Sequence, residues 1–245
     1  MKTITLTFLL LVGFLLPLAA QNAADAPPVE EIADAYVEAT GGADAWKALN
    51  AWRMSGKVNM QGMEFPMTIT AAAGDKNRVE MDIQGSKMIQ AYDGETAWTY
   101  FPMQGITEPK VMPAEEAADQ TEAPFLDVFI DWKERGYELA AVEGKEIEGT
   151  PTYGVQVTNA EGFNRTYYFD TETMVPIMMT FTSKGGQMKG MSLDTYMSDY
   201  QEVEGLVMPL FMENKINGQT IMSMTFESAE LNPELEDDFF SMEGM

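Results

Sequence analysis

The spacing of apolar residues changes along the chain, from a helical period near its start to alternation further on. A first helix is predicted to begin after Pro28 and to end at Gly41. Its apolar face is formed by residues at helical spacing, namely Ile32, Ala35, Tyr36 and Ala39. A short second helix is predicted from Ala43 to Leu49.

From Trp52 onward apolar positions alternate with polar ones, which is the pattern of strands with one dry and one wet face. Turn signals separate these runs, and Asn217-Gly218 is the strongest hairpin signal among them. We expect about ten or eleven antiparallel strands. With helices confined to the start and the middle, the chain is predicted to be mainly β with a few helices, as a single strongly curved antiparallel sheet or unclosed β-barrel with a helical lid.

The middle of the chain interrupts the alternation between Gly105 and Pro124. An acidic, alanine-rich stretch from Ala114 to Glu122 could form a short helix or a mobile loop. Helical spacing then returns from Phe125 to Arg135, with an apolar face made of Phe125, Val128, Phe129 and Trp132. This predicted helix has two interpretations, a core helix packed on the sheet or a movable lid over it.

The first residues of the chain have the features of a secretory signal peptide. Lys2 precedes an apolar run over residues 4–16, which is shorter than the roughly 20 residues that cross a bilayer. Small residues at Ala19 and Ala20 predict cleavage before Gln21. We therefore expect a signal peptide over residues 1–20, a linker over 21–28 and a single domain over 29–245 that is periplasmic and has no stable membrane anchor.

Composition excludes several classes of function. The 245 residues include no His and no Cys, so catalysis by Ser-His-Asp or Cys-His groups and zinc binding by imidazole or thiolate are impossible. A net charge of −24 argues against nucleic acid as a partner. We expect no cofactor, no metal and no enzyme activity, although the 39 acidic residues leave a carboxylate-based hydrolase as a distant alternative.

Methionine is the unusual feature of the composition, with 21 residues. Unbranched, polarizable methionine side chains suit surfaces that accept ligands of variable shape. A curved sheet of many strands also encloses more volume than its own side chains fill. The sequence therefore favours an apolar cavity over an ordinary packed core, with these methionines in its wall: Met54, Met60, Met67, Met81, Met179, Met208, Met222 and Met224.

Several motifs resemble the LolA-like outer-membrane lipoprotein-sorting proteins, and together they span nearly all of the predicted domain. They are Thr40-Gly41-Gly42, Asp93-Gly94-Glu95-Thr96-Ala97-Trp98, Tyr167-Tyr168-Phe169-Asp170, Ser198-Asp199-Tyr200, Gly205-Leu206-Val207-Met208-Pro209, Glu230-Leu231-Asn232 and Phe239-Phe240. The resemblance implies a periplasmic carrier whose hydrophobic cavity takes lipoprotein acyl chains from the inner membrane toward the outer membrane. In that family a strand arginine ties the lid shut, and Arg78 falls in the corresponding region.

Two functions from different classes remain open at this point. The first is a monomeric carrier that holds acyl chains of lipoproteins or other lipids and meets sorting partners at both membranes. The second is a non-catalytic structural or sensory β domain of the same fold, with a filled core, that binds a protein partner. An accessible methionine-lined wall supports the first, and a fully packed interior supports the second.

Overall fold

A computed structural model describes residues 26–245. The predicted signal peptide, its cleavage site and most of the linker lie outside the described residues. Helix α1 spans Val29–Ala39 and α2 spans Ala43–Lys47, close to the positions that the sequence predicts. Helix α3 spans Ala114–Thr121, so the acidic stretch is a helix. None of the helices within residues 26–245 is long and apolar enough to cross a membrane.

Fourteen strands form an antiparallel sheet in the order β6-β5-β4-β3-β2-β1-β14-β13-β12-β11-β10-β9-β7, with the two-residue β8 paired to β9 beside this path. Their bounds are Ala51–Met60 (β1), Met63–Ala72 (β2), Lys76–Ile83 (β3), Ser86–Tyr92 (β4), Ala97–Phe101 (β5), Ile106–Val111 (β6), Glu138–Val142 (β7), Glu146–Ile147 (β8), Thr150–Thr158 (β9), Asn164–Asp170 (β10), Pro176–Thr182 (β11), Ser192–Val203 (β12), Leu206–Ile216 (β13) and Gln219–Leu231 (β14). The sheet ends at β6 and β7, which do not pair, so the barrel is unclosed as predicted.

The two halves of the sheet meet where β1 pairs with β14. Gly56 lies at this seam beside an irregularity in the register, and a Cβ there would collide with the carbonyl oxygen of Thr225. Glycine therefore allows the two backbones to approach closely. The hairpin from β13 to β14 turns at Asn217 and Gly218, both with positive φ, which confirms the strongest turn signal in the sequence.

The segment after α3 differs from its predicted conformation. Helical spacing from Phe125 to Arg135 suggests a helix, but the chain forms successive turns over residues 128–136. Asp131 has a φ of 48°, which breaks any helix at that point. The main-chain carbonyl oxygens of Leu126, Asp127 and Ile130 instead accept hydrogen bonds from the Arg135 guanidinium. We call residues 125–132 the plug segment, because its apolar side chains fill the concave side of the sheet.

Arg78 also has a different role from the one that the family resemblance implies. Its side chain is 5% exposed and projects from the convex face, away from the plug segment. It donates hydrogen bonds to the carbonyl oxygens of Phe239 (2.6 Å) and Gly244 (3.2 Å) and pairs with Glu80. Arg78 thus holds the C-terminal segment 232–245 against the outside of the sheet instead of closing a lid.

Candidate functional site

A wall of apolar side chains lines the concave face and crosses both halves of the sheet. Register places Met197 opposite Met212, Met212 opposite Met224, and Met224 opposite Val58. Side chains at paired positions share one face, so these residues form a continuous row across β12, β13, β14 and β1. The wall therefore spans the seam between the two halves.

The structure gathers the methionines that the sequence predicts to line a cavity. Met54, Met67, Met208 and Met224 are buried in one apolar cluster, and Met60, Met81 and Met222 pack against it while staying partly exposed. Met179 lies instead at the margin of a second, aromatic cluster. Met212 also belongs to the wall and is partly exposed. We call the partly exposed members the open wall: Met60, Met81, Met179, Met212 and Met222.

The plug segment inserts into both clusters at once. Phe125 and Ile130 are buried among the methionines, and Leu126 packs beside them. Val128 and Phe129, each 2% exposed, enter the aromatic cluster together with Tyr36 of α1. Of the four residues predicted to form a lid, Phe125, Val128 and Phe129 are thus buried, but in two different clusters, while Trp132 is partly exposed beside a surface groove.

Polar contacts tie the plug segment to the rest of the molecule at only a few points. The Tyr36 hydroxyl donates a hydrogen bond to the Asp127 carboxylate at 2.9 Å, on the aromatic side. The Phe125 amide donates to Asp75 at 2.9 Å, and Lys47 forms an exposed ion pair with Asp131 at 3.1 Å. The segment is therefore held mainly by its buried apolar side chains.

The Asp127 carboxyl group sits in an environment that disfavours its charge. Burial raises its pKa, and the hydrogen bonds from the Phe129 amide and the Tyr36 hydroxyl, with the charge of Arg135, oppose this rise only in part. The pKa of Asp127 is higher in the folded protein than in the unfolded chain. Its contribution to the free energy of unfolding is therefore complete below the pKa of the unfolded chain and is lost as pH rises through the pKa of the folded protein. Burial of Asp127 therefore favours the folded state most in acid, whereas the hydrogen bond from Tyr36 favours the charged carboxylate.

Helix α3 connects the two halves of the sheet on its open side. Gln120 and Asn77 of β3 form reciprocal hydrogen bonds, at 2.9 Å and 3.3 Å. On the other half, the Asp119 carboxylate accepts hydrogen bonds from Ser183 and from the Lys184 amide, in the loop between β11 and β12. Helix α3 therefore bridges β3 and the loop between β11 and β12, whereas the segment predicted to be a helical lid, residues 125–135, is not a helix.

Grooves at the surface near these elements are polar, in contrast to the open wall. One of about 380 Å³ lies between α1 and the plug segment and is lined by Glu30, Asp34 and Trp132 among others. Another of about 570 Å³ lies beside α3 and is lined by Gln90, Met112 and Glu116 among others. Within residues 26–245 no group of three or more acidic side chains is arranged to hold a metal ion.

Two wall residues were not singled out by sequence reasoning. Thr195 and Asn214 are paired across β12 and β13 and point to the concave side among methionines. The signal was present in the alternation, because each is the one polar residue at an inward position between apolar neighbours in its strand. They are a buried polar pair surrounded by methionines of the wall.

Comparison with known proteins gives a fold but no closer relative. No protein-family model matches the chain, and no curated protein matches it. Among solved structures, it is similar to a domain described as an outer membrane lipoprotein-sorting protein domain from Vibrio parahaemolyticus, at 12% identity and a TM-score of 0.59 over 91% of this chain and 98% of that one. A DUF1329 family protein from Desulfovibrio piger matches at 12% identity and a TM-score of 0.58, over 88% and 98%.

A LolA superfamily protein from Nitrosomonas europaea is also similar, at 10% identity and a TM-score of 0.56 over 88% of this chain and 98% of that one. These three structures share the architecture of the described residues across nearly their whole length. The chain therefore has the LolA-like fold, a mainly β, unclosed barrel, as the sequence motifs indicate.

Proposed function

We propose that this protein is a carrier that holds acyl chains of lipoproteins or other lipids against its methionine wall. The observation that carries the proposal is the open wall, whose apolar side chains stay partly exposed on the inside of an unclosed sheet. Soluble proteins rarely leave large contiguous apolar surfaces in contact with water unless something binds there. The sorting function named for the Vibrio domain suggests lipoprotein acyl chains as the cargo.

The plug segment gives this carrier a way to be stable both empty and loaded. Phe125, Leu126 and Ile130 occupy the part of the concave side where an acyl chain would extend the methionine contacts. Phe129 and Asp127 anchor the other side of the segment to the aromatic cluster. Cargo would displace the first group while the second remains in place as a pivot.

The energies of transfer suit reversible carriage. Moving an acyl chain out of water is worth about 0.8 kcal/mol per methylene, so one ordinary chain supplies on the order of 10 kcal/mol. A membrane offers nearly the same gain, so the net difference between membrane and protein is small. Such a balance allows both pickup and release, with methionine accepting chains of different shape.

A second function is favoured by one specific observation. Phe125, Val128, Phe129 and Ile130 are each 8% exposed or less, so the plug segment fills much of the concave side. A filled interior suits a structural or sensory domain that binds a protein partner through its surface. Lipid binding separates the two functions, because a domain whose plug segment never moves would bind no acyl chain.

A charge placed on the open wall tests the proposal. Replacing Met81 by glutamate should reduce binding of a fluorescent fatty-acid probe at least tenfold, because a buried carboxylate against an acyl chain is strongly unfavourable. Met103, which is 55% exposed outside the wall, supplies the control, and Met103→Glu should bind as the wild type does. Equal binding by both variants, or no binding by the wild type, would count against a carrier.

Export belongs to the same proposal. A carrier between two membranes works in the periplasm, which agrees with the signal peptide that the sequence predicts over residues 1–20. The intact mass of protein recovered from the periplasmic fraction should then correspond to a chain that begins at Gln21. Recovery of the full-length chain from the membrane fraction would contradict export in this form.

A further inference from the structure

Two polar side chains interrupt the methionine wall. Thr195 on β12 and Asn214 on β13 are directly paired and are 4% and 9% exposed. The Thr195 hydroxyl donates a hydrogen bond to the Asn214 Oδ1 oxygen at 2.9 Å. This bond uses the threonine proton and fixes the orientation of the asparagine amide.

Methionines surround this pair on the concave face. Across the sheet, Met179 lies opposite Thr195 and Met222 lies opposite Asn214. Along the strands, the next inward residues are Met197 after Thr195 and Met212 before Asn214. Met179, Met212 and Met222 belong to the open wall, so the polar pair lies where the wall remains accessible.

One hydrogen-bonding group of the pair is unused. Among the described residues, the Asn214 Nδ2 amide nitrogen makes no hydrogen bond, and it keeps some solvent-accessible surface. An amide nitrogen carries two donor hydrogens, and a donor buried under an apolar ligand without a partner is costly. Whatever covers this part of the wall must therefore offer an acceptor at that position.

The charge around the pair defines the kind of acceptor. The neighbouring Lys215 is engaged elsewhere, since it pairs with Glu213 at 2.8 Å and lies 4.0 Å from the Tyr196 ring centroid. Tyr196 follows Thr195 in an extended strand, so its side chain is on the opposite face. Arg165 of β10 reaches the concave side, but it is two strands away from β12 and donates a hydrogen bond to the Glu122 carbonyl oxygen. Among the described residues no cation is paired with Thr195 or Asn214 across the strands, so a neutral carbonyl is a better partner than a carboxylate, whose charge would be buried unpaired.

We propose that the Asn214 amide recognises the carbonyl oxygen of an acyl ester or acyl amide, and that Thr195 positions it. A single polar group in an apolar surface is the usual device for fixing the orientation of an apolar ligand. The carbonyl end of the chain would then lie between β12 and β13, with the methylenes on the methionines. This inference rests on the proposed function and adds the chemical class of the cargo.

Two fluorescent probes with the same alkyl chain test this inference, one an ester and the other an ether. The wild type should bind the ester about 3- to 10-fold more tightly, the range of one hydrogen bond. Asn214→Leu keeps the side-chain shape and should abolish this preference without weakening the ether probe. Thr195→Val should reduce the preference as well, because the amide loses its fixed orientation, and it provides a second variant if Asn214→Leu folds poorly.

Thr180→Val is the matched control, since it makes the same change as Thr195→Val on the neighbouring strand β11 but on the opposite face of the sheet, and it should keep the ester preference. Equal binding of both probes by the wild type would overturn this inference but leave the carrier function intact. The same holds if Asn214→Leu and Thr195→Val both retain the preference. Failure of the wild type to bind either probe would overturn the carrier function and this inference together.

Discussion

Replacing Phe129 by alanine is expected to lower the free energy of unfolding by about 3–5 kcal/mol, the usual cost of truncating a buried phenylalanine. Phe129 is 2% exposed, and its ring makes edge contacts with Tyr36, Tyr167 and Phe169 at centroid distances of 5.1–5.5 Å. The truncation would leave a cavity at the centre of the aromatic cluster. Denaturant-induced unfolding of the wild type and the variant measures the difference.

Trp132 provides the control within the same segment. It is partly exposed beside a surface groove, so Trp132→Ala should cost about 1 kcal/mol or less. The sequence places both residues on one lid face, whereas the structure makes Phe129 an anchor and Trp132 a surface residue. Similar losses in the two variants would show that the plug segment is not anchored through Phe129.

Loss of the Arg78 side chain should have the second largest effect on stability. Arg78→Leu is expected to cost about 2–4 kcal/mol, because the carbonyl oxygens of Phe239 and Gly244 lose their donor. The guanidinium also packs against the Phe239 ring, 4.7 Å from its centroid. Chemical unfolding measures the loss, and limited proteolysis should show faster cleavage within residues 232–245.

Arg53 offers a matched control for Arg78, because it also lies near Phe239 on the convex face. Its ion pair with Glu230 is more exposed than that of Arg78 with Glu80, with side chains 28% and 57% exposed against 6% and 27%. Such pairs contribute about 1 kcal/mol or less, so Arg53→Leu should be nearly neutral and should not speed proteolysis of the C-terminal segment. An equal loss in both variants would mean that Arg78 has no special role in holding that segment.

Alternation in the sequence predicts the sheet well because the concave face is apolar over most strands. It identifies the methionine wall and the unclosed curvature, since most inward positions of β1, β2, β13 and β14 are apolar, with Asn214 of β13 an exception. The alternation of apolar and polar residues does not predict the short strands β6, β7 and β8. β6 contains Pro109, which an edge strand tolerates because one side of its backbone is unpaired.

Other features depend on long-range contacts that no local pattern encodes. Helical spacing in the plug segment arises because its apolar side chains enter two different clusters, Phe125 and Ile130 one and Val128 and Phe129 the other, before the turn at Asp131. The contact of Arg78 with Phe239 joins residues far apart in sequence. Met178, which is 1% exposed on the face opposite to Met179, lies between Tyr168 and Tyr196 on neighbouring strands, a burial that periodicity alone does not reveal.

Photolabelling tests the central claim, acyl-chain binding on the open wall, most directly. A fatty acid with a photoreactive diazirine on its chain is irradiated with the wild type, and the labelled residues are identified by peptide mass spectrometry. The expected labels fall on the open wall and its strand neighbours, around Met60, Met81, Met179, Met212 and Met222, and an excess of unlabelled fatty acid should remove them. Labels confined to the convex face, or labels that competitor does not reduce, would contradict a carrier that holds its cargo inside the sheet.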